Sequence, residues 1–268
     1  MYADDTVIFF SERSVAAVEE VLNQEANLVG KWFMNNNLIL NLKKGKTELV
    51  IYGTSQKLAK QPSCNVSLNG TPVNQATSYE YLGITLDSHL TMSMQIDKIY
   101  KRASNRVKLL QRIRPNISPL VAEKIYSVMI RPVLLYCYPI YLCVGESAKK
   151  KLQSIQDRAH KIIAPTKNTT LKMDTLDRIR KKRVSIDVFK SLNDSCPPPL
   201  RNMFERFDHG KDTRGNGSRL ILPKVKTEAG RKTLAFQGAL IFNGLPTDIR
   251  NESYLVNFKR KLDTVNFI

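Results

Sequence analysis

Apolar and polar positions alternate with different periods along the chain, and the periods change twice. Val7, Ile8, Phe9 and Phe10 form an unbroken apolar run behind Asp4 and Asp5. Such a run predicts a buried strand over 6–10, entered from a turn. Val18, Val21, Leu22, Val29, Trp32 and Phe33 then recur at helical spacing, which predicts a helix starting at Ser14 with Trp32 as a core anchor. Asn35-Asn36-Asn37 stops it. Leu38, Leu40 and Leu42 alternate as in a half-buried strand, Lys43-Lys44-Gly45 makes a turn, and a returning strand is expected over Glu48–Tyr52. Alternating residues on either side of Asn69-Gly70 predict a hairpin over Val66–Val73, because Asn-Gly readily supplies two positive φ angles. A last strand is expected from Tyr79 to Leu86. Gly83 inside it reads as a close approach of another backbone or as a β-bulge.

From Thr91 the period is helical. Ile96, Ile99, Ala103, Val107 and Leu110 make the apolar stripe of a helix over Met94–Arg114. Ser118-Pro119 supplies an N-cap and a first-turn proline for a second helix, expected to run to Arg131 and to be broken or kinked by Pro132 and Pro139. A third helix is expected over 147–164 and, after a polar linker, a basic one over 174–192. Cys196-Pro197-Pro198-Pro199 marks a rigid break, and 208–218 reads as a flexible polar stretch. A short strand over 220–222, a helix over 232–242 ended by Gly244, and an amphipathic helix over 253–262 complete the chain. The fold class is therefore α+β. A small antiparallel layer (1–90) precedes a mainly helical bundle (91–165) and a mixed, mostly helical tail (166–268).

Charge changes this picture more than composition does. The chain has 268 residues and a formal net charge of +18. That balance points to a polyanionic partner, nucleic acid before an anionic membrane surface. Residues 1–60 carry seven basic and seven acidic side chains, so the whole excess lies beyond residue 60. The helix over 94–114 sets Lys98, Lys101, Arg102, Arg106, Lys108, Arg112 and Arg114 against Asp97 alone. This is too lopsided for ion-pair lacing and favours a face that tracks phosphates. Lys149, Lys150 and Lys151 form a second basic cluster, and 180–183 a third. The latter two also have the composition of nuclear-import signals, which leaves nuclear and cytoplasmic locations open. The four cysteines form no C-x-x-C pair and the three histidines are scattered, which argues against a zinc site or a disulfide framework. No apolar stretch is long enough to span a bilayer.

The candidate chemistry is the Asp4-Asp5 pair. Adjacent carboxylates repel, so they persist either solvated in a turn or around a hard divalent cation such as Mg2+. The second option is the chemistry of two-metal phosphoryl transfer.

Tyr2-Ala3-Asp4-Asp5 followed by Thr6 and aliphatics resembles the catalytic hairpin of reverse transcriptases, in particular those of non-LTR (LINE-type) retrotransposons. Three further stretches resemble that family in the same order: Trp32 to Thr47 (W-F-M-N-N-N-L-I-L-N-L-K-K-G-K-T), Tyr81 to Asp87 (Y-L-G-I-T-L-D), and Gly238 to Pro246 (G-A-L-I-F-N-G-L-P), where Phe242 stands in place of the usual Trp. The resemblance implies a palm remnant, a helical thumb and a tail. It implies an RNA template and a DNA primer as partners, and two Mg2+ ions held in part by Asp4 and Asp5. Lys46 would be the lysine near the incoming triphosphate, and Tyr81, Leu82, Gly83 and Ile84 the primer grip. Lys98, Lys101, Arg102, Arg106, Lys149, Lys150 and Lys151 would contact nucleic acid. The family also needs an earlier palm aspartate and fingers. Their absence from this sequence implies a fragment inactive alone, with Met1 an internal methionine of a longer frame or the start of a decayed copy. The alternative is a non-catalytic, salt-dependent nucleic-acid-binding protein derived from a retrotransposon. A membrane-surface binder ranks last, because the 94–114 helix offers Tyr100 and little else aromatic.

Overall fold

Local sequence signals set most element boundaries in the computed structural model, which describes residues 5–43, 45–60, 63–164, 173–207 and 219–267. Asp4, Lys44, the expected linker at 165–172 and the polar stretch 208–218 lie outside the described residues. The fold is mixed α+β and dominated by helices, and it divides into two compact units, 1–95 and 96–268.

In the first unit, helix α1 (Val15–Asn35) follows Ser14 and stops at the asparagines, with Asn37 at φ 54°. Strand β1 (Glu48–Val50) and the short helix α2 (Ser55–Leu58) follow. Strands β2 (Ser67–Leu68) and β3 (Thr71–Pro72) form the expected antiparallel hairpin, its turn residues Asn69 and Gly70 both at positive φ, 51° and 76°. Strand β4 (Asn74–Ala76) pairs with β1, but in parallel, so the layer is not wholly antiparallel. Strands β5 (Ser78–Tyr81) and β6 (Ile84–Asp87) form a second antiparallel hairpin.

Four expectations for this unit need correction. Residues 6–10 form no strand, and Phe9 is 88% exposed. An extended segment is stable only where a neighbour takes up its backbone groups, and none of the described strands pairs with it. Trp32 is exposed rather than a core anchor. Helix α1 buries Ala26 and Gly30 against the β2 hairpin instead, and Trp32 stacks edge-on with its neighbour Phe33. The Leu38–Leu42 alternation is present without a strand: Leu40 and Leu42 pack on the cluster of Ala26, Cys64, Val66 and Leu68, while Leu38 faces out. Tyr79–Leu86 is not one strand either. Leu82 and Gly83 turn at φ 48° and 75°, so Gly83 meets a turn's demand for positive φ and marks no bulge.

In the second unit, helix α3 (Ser93–Ile113), which begins at the end of the first, buries the expected stripe from Ile96 to Leu110. The Ser118 hydroxyl accepts from Val121 N at the start of α4 (Pro119–Ile125). A break or a kink is expected at Pro132, and the helix there is interrupted in its regular geometry but not ended. It passes through a π turn (Tyr126–Ile130), in which Arg131 N donates to Tyr126 O, and continues as α5 (Arg131–Leu135). A proline lacks the N–H of the ladder and its ring clashes with the carbonyl four residues back. The extra residue of the π turn shifts that register just before Pro132. Cys137, at φ 46°, then leads into a 3-10 turn over Tyr138–Leu142.

Helix α6 (Glu146–Ile163) and helix α7 (Leu176–Leu192) follow, then the short α8 (Pro198–Arg201) and α9 (Glu228–Arg231). Helix α10 (Leu234–Asn243), the short α11 (Thr247–Arg250) and α12 (Leu255–Leu262) close the chain. The expected strand over 220–222 is reduced to a single bridge between Arg206 and Leu220. The core here joins α7, α10 and α12, with the Phe189 and Phe258 rings stacked at 4.4 Å. The G-A-L-I-F-N-G-L-P stretch is packing. A Cβ on Gly238 would lie 2.8 Å from the Phe204 ring, and Phe242 is wholly buried. The Asn243 amide clamps Leu220 by accepting from its N–H at 2.7 Å and donating to its C=O at 2.9 Å.

Candidate functional site

The carboxylate candidates are only half visible, since Asp4 lies outside the described residues. Asp5 is exposed. Lys46 is also exposed and follows the Gly45 turn, whose Lys46 N–H donates to Lys43 O at 3.0 Å. Both candidates surround one ring. The Tyr79 hydroxyl of β5 donates to Lys46 O at 3.1 Å. Burial pushes that phenol up, and the negative charges of Asp5 and Glu48 push it further. The Tyr79 hydroxyl thus ties the Lys46 turn to β5, and its ring lies within the field of the Asp5 charge. Among the described residues, no three of His, Cys, Asp and Glu converge as a metal-binding group. The described part does not by itself furnish a two-metal centre.

At the tip of that hairpin Tyr81 is half-buried, Gly83 is exposed and Ile84 is buried. Leucine seldom adopts positive φ, so Leu82 at 48° is held there by the hairpin that encloses it. The motif's final residue, Asp87, is a structural device that the sequence reading missed. Its carboxylate accepts from His89 N at 3.2 Å, Thr91 N at 3.0 Å, Thr91 Oγ1 at 3.1 Å and Met92 N at 2.8 Å. Burial alone would raise its pKa, but these hydrogen bonds together hold it below the usual carboxylate value. Asp87 thereby shapes the turn from which α3 starts. The signal was present in an aspartate followed by Thr91 and Ser93, both capping types.

The basic candidates separate into two groups. Lys98, Lys101, Arg102, Lys108 and Arg112 are exposed on α3. At 3.6 residues per turn they fall within a sector of about 120° and along a length of about 21 Å. Arg106 and Arg114 are directed elsewhere: Arg106 donates to Met129 O, and Arg114 donates to Ile162 O at 3.0 Å, Ile163 O at 3.1 Å and Ile117 O at 2.9 Å. Within the 149–151 cluster Lys150 is exposed. Lys149 pairs with Glu146 at 2.7 Å, and Lys151 pairs with Asp97 at 2.6 Å while lying over the Tyr100 ring.

The 180–183 cluster is largely committed to the fold. Arg180 is 4% exposed, its guanidinium stacked 3.5 Å from the centre of the Tyr141 ring and donating to Leu134 O. Lys181 pairs with Asp177, and Lys182 with both Asp174 and Asp263.

Among the described residues no helix is long and apolar enough to cross a membrane. No family model matches the chain, and no solved structure matches it. Curated proteins do. An RNA-directed DNA polymerase from the mobile element jockey of Drosophila melanogaster is 29% identical over 159 residues, 58% of this chain and 17% of its own length. A probable RNA-directed DNA polymerase from transposon BS of the same species is 25% identical over 180 residues, 65% of this chain and 19% of its own length. The jockey polymerase of Drosophila funebris is 24% identical over 158 residues, 58% of this chain and 17% of its own length. The chain thus spans less than a fifth of the length of these relatives. Together with the order of the motifs, these matches make the chain a homologue of the RNA-directed DNA polymerases of non-LTR retrotransposons.

Proposed function

We propose that this chain is a portion of a LINE-type reverse transcriptase, with residues 1–90 serving as part of the palm, 91–165 as the thumb and 166–268 as the tail. The exposed basic sector of α3 is its nucleic-acid face. That sector carries the reading, because basic side chains set along one side of a helix concentrate a positive field that a polyanion complements. The spacing suits the backbone of a primer–template duplex, and phosphate contacts of this kind position the duplex without reading its sequence. The relatives are polymerases of a class that uses divalent cations, and Asp4 and Asp5 would contribute to such a site. The described residues bring no third ligand to Asp5. We therefore propose that polymerisation needs carboxylates beyond these, and that the chain alone binds a duplex without extending the primer. Tyr81 to Ile84 would approach the primer end and Lys46 the incoming triphosphate, on either side of Tyr79.

The test is a salt-titrated binding assay with a primer–template hairpin, run beside a primer-extension assay. Binding should weaken steeply with salt, with a log–log slope of about −0.9 per phosphate contact on B-form DNA. Asp5→Asn should leave binding intact. Salt-insensitive binding would sink the α3 face. Extension by the wild-type chain, abolished in Asp5→Asn, would show that a complete metal site forms.

A further inference from the structure

The second unit also has an open groove of about 400 Å³ lined by Ser127, Arg131, Tyr136, Tyr138 and Arg183, with Leu135 among its apolar wall residues. That volume lies within the range of small-ligand sites. One stretch of backbone builds most of it by two departures from regular geometry. The π turn at Tyr126–Ile130 offsets Arg131 from the helical register of α4, and the left-handed Cys137 carries the chain from Tyr136 back toward Tyr138. Both conformations are uncommon in ordinary helical connections and cluster at functional sites. Helix α7 closes the far side with Arg183, whose guanidinium lies 5.6 Å from the centre of the Tyr138 ring. Arg131 and Arg183 are exposed, Tyr136 is 51% exposed, and no Asp or Glu is among the lining residues.

Two guanidinium groups without a carboxylate call for an anion, and their planar forks suit phosphate oxygens. The exposed Tyr136 ring beside them suits a flat π face, as in proteins that hold unpaired strands by stacking. A duplex offers phosphates but keeps its bases stacked, so it satisfies only half of this groove. We infer that the groove takes one unpaired nucleotide of a nucleic-acid strand, its base on Tyr136 and its phosphate between Arg131 and Arg183. The ligand class rests on the nucleic-acid reading above. The site does not, since it shares no residue with the α3 sector and recognises a different form of the polymer.

The experiment uses the whole chain and fluorescence anisotropy with three probes: a short oligo-uridylate, the matching oligo-thymidylate, and a blunt hairpin duplex. Tyr136→Ser should weaken single-strand binding about fivefold to 150-fold, the worth of one stacked base, and Arg131→Ala about tenfold to 150-fold, the worth of a charged hydrogen bond. Tyr136→Phe should bind like wild type, and none of the three should move duplex affinity by more than about twofold. Arg131→Gln, a milder change at an exposed side chain, guards against misfolding and should reproduce the Arg131→Ala loss. The double variant Lys101→Ala, Arg102→Ala should show the opposite selectivity, losing duplex affinity and keeping the single strand. Whichever of the RNA and DNA strands binds more tightly names the natural ligand. The groove is refuted if Tyr136→Ser and both Arg131 variants bind single strands like wild type, or lose duplex and single strand alike. It is also refuted if wild type binds no single strand. Loss of the α3 effect alone would overturn the duplex face and leave the groove standing.

Discussion

Helices α3 and α7 look alike as strings and behave differently as structures. Both are long and rich in lysine and arginine. On α7 four basic side chains are committed internally, while Arg183 stays exposed: Asp174 and Asp177 sit four residues before Arg178 and Lys181, Asp263 returns from the end of the chain to Lys182, and Arg180 is buried against Tyr141. On α3 the one acid, Asp97, pairs with Lys151 of another helix, and Lys101 and Arg102 find no acid partner among the described residues. A basic run is therefore a binding face only where the fold fails to deliver carboxylates to it. Surface pairs are individually weak, but together they decide whether a cation is already neutralised when a polyanion arrives.

Replacing Arg180 should have the largest effect on stability. Arg180→Ala removes a desolvated cation–π contact and a charged hydrogen bond, and should cost about 3 kcal/mol in urea unfolding. The salt slope of duplex binding should stay at its wild-type value. A flattened slope would show that α7 also contacts phosphate and would erase the contrast with α3.

Asp87 comes next, because it shapes the turn that starts α3. Asp87→Ala should cost about 2 kcal/mol by stranding donors that the carboxylate now satisfies. Its pKa is depressed in the folded state, so its contribution is full above the unfolded value near 4 and fades as pH falls through the lower folded value. Unfolding midpoints of wild type and Asp87→Asn should begin to approach each other as pH falls below about 4 and should meet only below the depressed folded value. A gap that persists at lower pH would mean that the charge is not what stabilises the turn.

The paired substitution Lys101→Ala, Arg102→Ala should leave stability within about 0.5 kcal/mol of wild type. It should reduce the magnitude of the salt slope by about one unit per lost contact. An unchanged slope would show that exposed cations on α3 are merely solvated. Lys182→Ala should cost about 1 kcal/mol of stability at low salt and less at high salt, because Asp263 is largely exposed. Duplex affinity should not change.

What was readable from the string is what neighbours in sequence decide. The buried stripe from Ile96 to Leu110, the Ser118 cap and the Asn69-Gly70 turn each depend on residues within a turn or two of one another, and each formed as expected. The Leu82-Gly83 turn escaped notice because a leucine in the left-handed region is disfavoured locally and is held there only by β5–β6 pairing. Trp32 misled for a related reason. Helical periodicity finds an apolar face but says nothing about what covers it, and here the hairpin covers Ala26 and Gly30 instead. The basic clusters show the same limit across longer distances. Lys151 meets Asp97 from 54 positions away and Lys182 meets Asp263 from 81. Such pairs form because packing has already brought their helices together. Periodicity thus located the positive charge, and only long-range packing decided which cations stay exposed.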